Sequence, residues 1–341
     1  MSLKVKDSTQ FRINELTIVT KAGPFDITAI YEELNIYDSI LLPVTSGNIL
    51  ITDAVGLSSA LLFDGSETIL IDISKDEDSD IASIKKSFRI YKQTDRRNVN
   101  QNSEMYVLHF VSDELMFSDQ QRINQSFETT YSDIVDKILT NYLQVPNSDR
   151  NGIYETSSGI RKVVVPNLRP LEAIEWCAKR ALDKQNSPNF VFYKNIVGYN
   201  FASLSTLLSQ EHILDIKFEP KNLSSRDSIQ EISSARSFEV ILQNDSIDKT
   251  RSGVNAGRFI GFDPMTRTFA SKNISYADHY TNMKHGNDNP NVSFIKNRDG
   301  QLNLEAFDSR KVLSSFATAR KFSEYIKNND SASISKDETY E

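Results

Sequence analysis

Residues 163–208, VVVPNLRPLEAIEWCAKRALDKQNSPNFVFYKNIVGYNFASLSTLL, constrain the fold more than any other stretch. The β-branched run Val163, Val164, Val165 stops at Pro166. Leu168, Arg169 and Pro170 then open a helix, with proline at an early position where its missing N–H costs nothing. Leu171, Ile174, Ala178, Ala181 and Leu182 follow at helical spacing. Residues 186–188 end the helix, 190–193 read as a buried strand, and Gly198 makes a turn. A strand–helix–strand unit of this kind buries one face of its helix, so Trp176 is expected to be mostly buried with Ile174, Phe190 and Phe192 beside it.

Residues 11–113 have a different texture. Candidate strands cover 11–21, 25–33, 36–44, 48–53, 68–74, 88–92 and 105–111. Ile69, Ile71 and Ile73 alternate with Leu70 and Asp72, as in a sheet buried on one face. Seven short strands with tight turns predict an antiparallel barrel or sandwich. A helix over 131–143 follows, with Ser132 as its expected N-cap and Pro146 just past its end. Residues 212–245 return to strand-like text at 213–218 and 237–242. Residues 244–310 are polar, and 312–326 read as a helix before a polar tail. The chain has 341 residues, 39% hydrophobic and 25% charged, enough for two or more cores. No run reaches the ~18–20 apolar residues of a membrane span, and no signal peptide is expected at the N-terminus.

Residues 163–208 resemble a segment of the baseplate hub proteins of contractile-tailed, T-even-like bacteriophages. Proline, an amphipathic helix with one Trp, F-x-F-Y, an Asn/Gly turn and N-F-x-S-L occur there together. Other stretches agree in order: Y-x-x-L-N-I-Y-D-S-I-L, S-G-N-I-L-I-x-D-A-V-G-L, F-D-G-S-E-T-I-L-I-D-I, R-I-N-Q-S-F-E, S-D-I-V-D-K-I-L and I-Q-E-I-S-S-A-R-S-F-E-V-I-L. The similarity touches most of residues 26–245. It implies a multidomain, β-rich α+β chain of antiparallel tube-forming β-barrels with a small inserted α/β domain. On that pattern 1–115 form the first tube barrel, 116–210 the α/β domain and 211–245 strands of a second, incomplete tube barrel. Residues 246–310 are an irregular insert, and 311–341 a helix with a polar tail. Hubs of this family complete their second barrel with strands after the late helix. This chain stops soon after it, so it is either a fragment or closes that barrel otherwise. The resemblance implies a non-enzymatic virion protein, made in the host cytoplasm, that works as a homotrimer. Two similar barrels per subunit give six quasi-equivalent surfaces, which adapt a threefold spike to a sixfold tail tube. Its partners are then further copies of itself, the tail tube protein, the spike and DNA passing through the lumen, with no stable membrane insertion.

The residues point to no reaction centre. His109, His212, His279 and His285 lack metal-site spacing, and the lone Cys177 reads as a small buried hydrophobe. Asp76, Asp78 and Asp80 begin like an EF-hand loop, but position six is Ile81 and position twelve Ser87. Gly253, Gly257 and Gly261 are followed by no Lys-Ser/Thr pair and read as bends of a loop. Glu128, Asp133 and Asp136 suit helix entry better than a glycosidase pair. No catalytic residue, cofactor or metal ligand is assigned. The alternative is a carbohydrate-binding or cell-wall-degrading virion protein, which a single Trp disfavours and an activity assay on cell-wall polymer separates.

One basic run stands out: Lys85, Lys86, Arg89, Lys92, Arg96 and Arg97. It reads as a solvated strand edge, as an interface to an acidic neighbour, or as a DNA contact with Phe88 and Tyr91 interleaved. The chain's net charge of −7 weighs against the last. That charge also suits a channel wall that must not hold DNA.

Overall fold

The computed structural model describes residues 11–57, 64–75, 84–100, 103–184, 187–212, 215–218, 234–235, 237–239, 245–253, 256–263, 268–275 and 310–315. Seven strands open the chain: β1 (Phe11–Thr20), β2 (Gly23–Asp26), β3 (Tyr31–Tyr37), β4 (Ser46–Asp53), β5 (Thr68–Lys75), β6 (Ile84–Asn100) and β7 (Ser103–Val111). They form one curled antiparallel sheet in the order β2-β1-β5-β6-β7-β4-β3. The two outermost strands, β2 and β3, are neighbours in sequence. The link between them also bonds at both ends: Ile27 N–H donates to Leu16 O, and Thr52 N–H donates to Ile30 O. A link of four residues spans at most ~14 Å, so the sheet must curl until its edges approach each other.

Alternation fills the inside of the curl. β4 alternates half-buried and buried along its whole length. Leu16, Ile18, Ile49, Ile51, Ile69, Ile71, Phe88, Ile90, Tyr106, Leu108 and Phe110 form one apolar cluster. Gly47 lies where a methyl group would overlap the Phe110 ring and the Asn35 carbonyl oxygen. Strand positions differ from expectation in three places: a turn at 27–30 splits the strand expected at 25–33 between β2 and β3, residues 38–45 form a turn so that the strand expected at 36–44 lies earlier, in β3, and β6 runs past the expected 88–92 at both ends.

Helix α1 (Asp113–Asp119) leads out of the sheet to β8 (Ser126–Thr129), α2 (Tyr131–Asn141), β9 (Arg161–Val164), α3 (Pro170–Ala178), β10 (Phe190–Lys194), β11 (Tyr199–Ser203) and α4 (Leu204–Leu208). β8 pairs with β9 and β10 with β11, both antiparallel. A second apolar cluster joins these elements through Ile134, Val135, Ile138, Leu171, Ile174, Cys177, Phe190, Phe192, Tyr199 and Phe201. Thr130, not Ser132, caps α2: its hydroxyl accepts from Asp133 N–H at 3.2 Å. Ser132 instead turns inward and bonds Ser157. α3 starts at Pro170, and the Glu172 carboxylate accepts from Arg169 N–H at 3.0 Å. The helix stops at Ala178, three residues short of the apolar pattern that Ala181 continues; both residues are nonetheless buried. Trp176 is half-buried at the edge of this core, not enclosed by it. The Arg180 guanidinium covers its ring at 4.2 Å and Tyr131 meets it edge-on at 6.2 Å.

Beyond residue 208 come β12 (Lys217–Phe218), β13 (Ser234–Ala235), α5 (Ser246–Arg251), β14 (Ala256–Asp263), β15 (Thr268–Ser275) and β16 (Arg310–Ser315). Three expectations are corrected here. Ser237–Glu239 are not in a strand. Gly257 and Gly261 sit within β14, paired with β15, and do not bend a loop, whereas Gly253 has φ +82° just past α5. Residues 312–315, expected to begin a helix, lie in β16 parallel to β14, where the β-branched Val312 opposes Phe259. The rest of that expected helix, the polar tail, Asp76–Asp80, His279 and His285 lie outside the described residues.

Candidate interface

All six cations of the basic run lie on β6, but the fold treats them differently. β6 runs past the sheet core, so its two halves face different neighbours. Its first half pairs with β5 from Ile84 to Arg89. There Lys85 reaches Glu15 at 3.7 Å and Asp72 at 3.8 Å while remaining largely exposed. Arg89 Nε donates to Asp113 Oδ1 at 3.0 Å and its Nη1 to Ser66 O at 2.6 Å. Arg89 thereby fastens the start of α1 to the sheet.

Lys86 points at the α/β unit and joins a buried ion cluster. Its Nζ lies 2.8 Å from Asp149 Oδ1. Asp149 Oδ2 lies 3.2 Å from Lys194 Nζ, which in turn donates to Glu114 Oε1 at 2.8 Å. Two ammonium groups thus meet two carboxylates, and Lys194 and Glu114 are 7% and 9% exposed. Burial alone would raise the Asp149 carboxyl. The Lys86 hydrogen bond and the Lys194 charge outweigh it and hold that carboxyl below its ordinary range. Tyr199 lies beneath Lys194, with its ring centroid 4.9 Å from the ammonium. Burial first, then the Glu114 and Asp149 charges, raise its phenol far above its ordinary value. A cavity of about 320 Å³ adjoins the cluster, between the sheet and the α/β unit.

Backbone bonds reinforce this seam. Ser112 N–H donates to Thr45 O, and Lys194 N–H to Leu42 O. Asp38 accepts from the Thr45 hydroxyl with one carboxylate oxygen and from Ile196 N–H with the other. The chemistry of the seam is adhesive: charge-assisted bonds in a partly dry gap, with no nucleophile paired to a base.

Sequence reading singled out Lys86 and Arg89 but missed Asp113, Glu114, Asp149 and Lys194. Lys194 carried a usable signal. It continues the alternation Phe190, Phe192, Lys194, all three buried, so a lysine on an inward face demanded a carboxylate. Asp149 sits in a polar Asn/Ser loop with nothing in the local pattern to mark it.

Among the described residues, the second half of β6 pairs only with β7. Arg96 is taken by Glu104, with Nη2 at 2.8 Å from Oε2. Arg97 Nη2 donates to Met105 Sδ at 3.2 Å, a weak acceptor, and Lys92 is exposed with no ion pair among the described residues.

The carboxylates near α2 all have structural partners: Glu128 meets Lys162, Asp136 meets Arg150, and Asp133 accepts from the Thr129 hydroxyl. That last bond, with the Thr130 hydroxyl bond next, keeps the Asp133 carboxyl below its ordinary range. Cys177 is fully buried, and burial pushes its thiol up to about 12. Among the described residues no group of three His, Cys, Asp or Glu side chains could hold a metal ion, and no helix is long and apolar enough to cross a membrane.

By sequence, no family profile and no curated protein matches the chain. Among solved structures it is similar to a tail protein from Neisseria meningitidis MC58, at 11% identity and TM-score 0.45, covering 92% of this chain and 74% of that one. It is also similar to the prophage tail protein gp18 from Listeria monocytogenes EGD-e, at 9% identity and TM-score 0.41, covering 92% and 76%. A third likeness, at 14% identity and TM-score 0.30, covers 57% of this chain and 46% of the E. coli c3393 protein. That protein is described as a component of the type VI secretion system with structural similarity to the T4 bacteriophage tail proteins gp27 and gp5. Two of these similar structures are thus tail proteins and the third a secretion-system component likened to tail proteins.

Proposed function

We propose that the chain is a structural protein of a phage-type tail, the central baseplate hub, and that it catalyses no reaction. One observation carries the reading. All the segments that resemble hub proteins except 229–242 fall, in chain order, on consecutive pieces of one curled sheet and of the α/β unit clamped to it. Residues 31–41 give β3 and its turn, 46–57 give β4, 64–73 lead into β5, and 122–128, 132–139 and 163–208 give the α/β unit. On this reading the curled sheet is the first tube barrel. Three copies close a ring whose surfaces adapt a threefold spike to the sixfold tail tube, with DNA passing through the lumen. The protein is then a virion component whose partners are its own copies, the tube protein and the spike.

A ring also suits the sheet's edges. Among the described residues β2 and β3 each carry a strand on one side only, and a neighbouring subunit gives such an edge a partner. Light scattering after size-exclusion chromatography is expected to give three times the 38.7 kDa chain mass. A cryo-EM map of the assembled tail that places this chain in the outer wedges or the sheath, with no copy around the axis, would overturn the reading.

A further inference from the structure

The far half of β6 carries a second, unassigned surface. β5 stops pairing at Arg89, and one further bond, Ile90 N–H to Glu67 O, closes that side. From Tyr91 to Asn100 no strand among the described residues runs beside β6 away from β7. Among the described residues, the middle of a seven-stranded sheet therefore contains an unpaired strand edge, with N–H and C=O groups facing outward.

The face next to that edge is built from three strands in register. Val107 lies between Thr94 and Leu50, and Met105 between Arg97 and Thr52. Leu50, Asp95, Arg96, Arg97, Met105 and Val107 line one shallow groove. Its floor is apolar and its rim cationic, the usual anatomy of an interface, with Met and Arg enriched. Lys92 and Arg97 supply positive charge that meets no carboxylate partner among the described residues.

We propose that this ribbon docks an acidic, extended segment of a partner protein. Carboxylates of that segment take Lys92 and Arg97, its apolar side chains cover Met105 and Val107, and its backbone pairs with the bare edge of β6. The surface favours a peptide over a nucleic acid. A phosphate backbone satisfies the cations but offers no donors for the exposed C=O groups, whereas a strand supplies donors and acceptors alternately. Three register shifts, at Ile90/Lys92, Thr94/Arg97 and Asn98/Asn100, and the left-handed φ of 54° at Asp95 break the edge into short pieces. The bulges limit pairing to a short segment and prevent open-ended growth of the sheet. This docking does not depend on the ring.

The test uses the full chain at low ionic strength and a short labelled peptide of repeated Glu-Thr-Leu-Thr, which as a strand presents glutamate and leucine on one face. Fluorescence anisotropy should show binding, and amides within residues 91–100 should gain protection from hydrogen exchange. Lys92→Glu with Arg97→Glu should weaken binding about tenfold or more, because both partners of the contact become anionic. Lys85→Glu, on the same strand but already facing Glu15 and Asp72, should leave the affinity unchanged. Both variants alter exposed side chains, and circular dichroism checks that they fold. The proposal is overturned if the peptide does not bind, if the double reversal leaves its affinity within about twofold, or if the 91–100 amides gain no protection. Tighter binding of a single-stranded oligonucleotide of equal charge would overturn it too, since the site would then read phosphate.

Discussion

At the scale of single residues, Lys194 and Trp176 are the informative pair. Lys194→Ala removes the only cation that Glu114 meets in the ion cluster and leaves a buried carboxylate uncompensated. The expected cost is about 3–5 kcal/mol by urea unfolding. Combining Lys194→Met with Glu114→Gln removes both charges and should recover most of that loss, since Lys86 still meets Asp149. The same cluster sets a pH dependence. The folded Asp149 carboxyl lies below its ordinary 3.8, so its stabilisation is complete above that value and lost as pH falls through the lower, folded one. The stability gap between wild type and Asp149→Asn should therefore be full at neutral pH and shrink at pH values below the ordinary one. Trp176 shows where pattern reading reaches its limit. Helical spacing placed the tryptophan next to the core but could not rank it against Ile174 and Cys177, which are wholly buried. Phe201, by contrast, is fully enclosed, its ring tilted against that of Phe190 with centroids 4.9 Å apart. Phe201→Ala should cost about 3–5 kcal/mol and Trp176→Ala distinctly less, measured as paired melting curves.

At the scale of elements, local signals specified what most segments are, and long-range contacts decided where they stop. The alternation of Ile69 and Ile71 and the apolar face of α2 were legible because burial imposes a period on the sequence. The length of β6 was not: the strand was expected only over 88–92, because its far half lacks an apolar face to bury. The opening of β16 was misread for the opposite reason. The spacing of Val312 and Phe316 fits a helix, yet pairing with β14 overrides it. Gly47 could be flagged only as a turn former, yet it lies inside β4 and makes room for Phe110. Gly47→Ala should destabilise the sheet by about 1–3 kcal/mol, because the ring or the β3 backbone must move. A melting temperature unchanged by that substitution would show that the close approach is relieved at no cost.

At the scale of the whole molecule, two apolar clusters meet across a seam that is mostly polar. The sequence pointed to the two clusters through their different periods. It could not point to the seam, because the residues that build it are scattered: Lys86 and Asp149 stand 63 positions apart, and Glu114 and Lys194 stand 80 apart. If the hub reading holds, the seam fixes the angle between barrel and α/β unit in every subunit. Charge variants such as Lys86→Ala should then loosen the particle before they unfold it. Cryo-EM of variant assemblies should show the α/β unit blurred beside a sharp ring.

The separation along the chain also has a consequence for synthesis. At ~5–20 residues per second, a ribosome needs roughly 4–16 s to travel from Glu114 to Lys194. Throughout that interval the finished sheet displays the seat on which the α/β unit will land. An oily seat would be a hazard to a nascent chain surrounded by others like it. A seat of lysine and carboxylate is wetted by solvent and attracts little, so the half-made protein waits safely for the rest of itself.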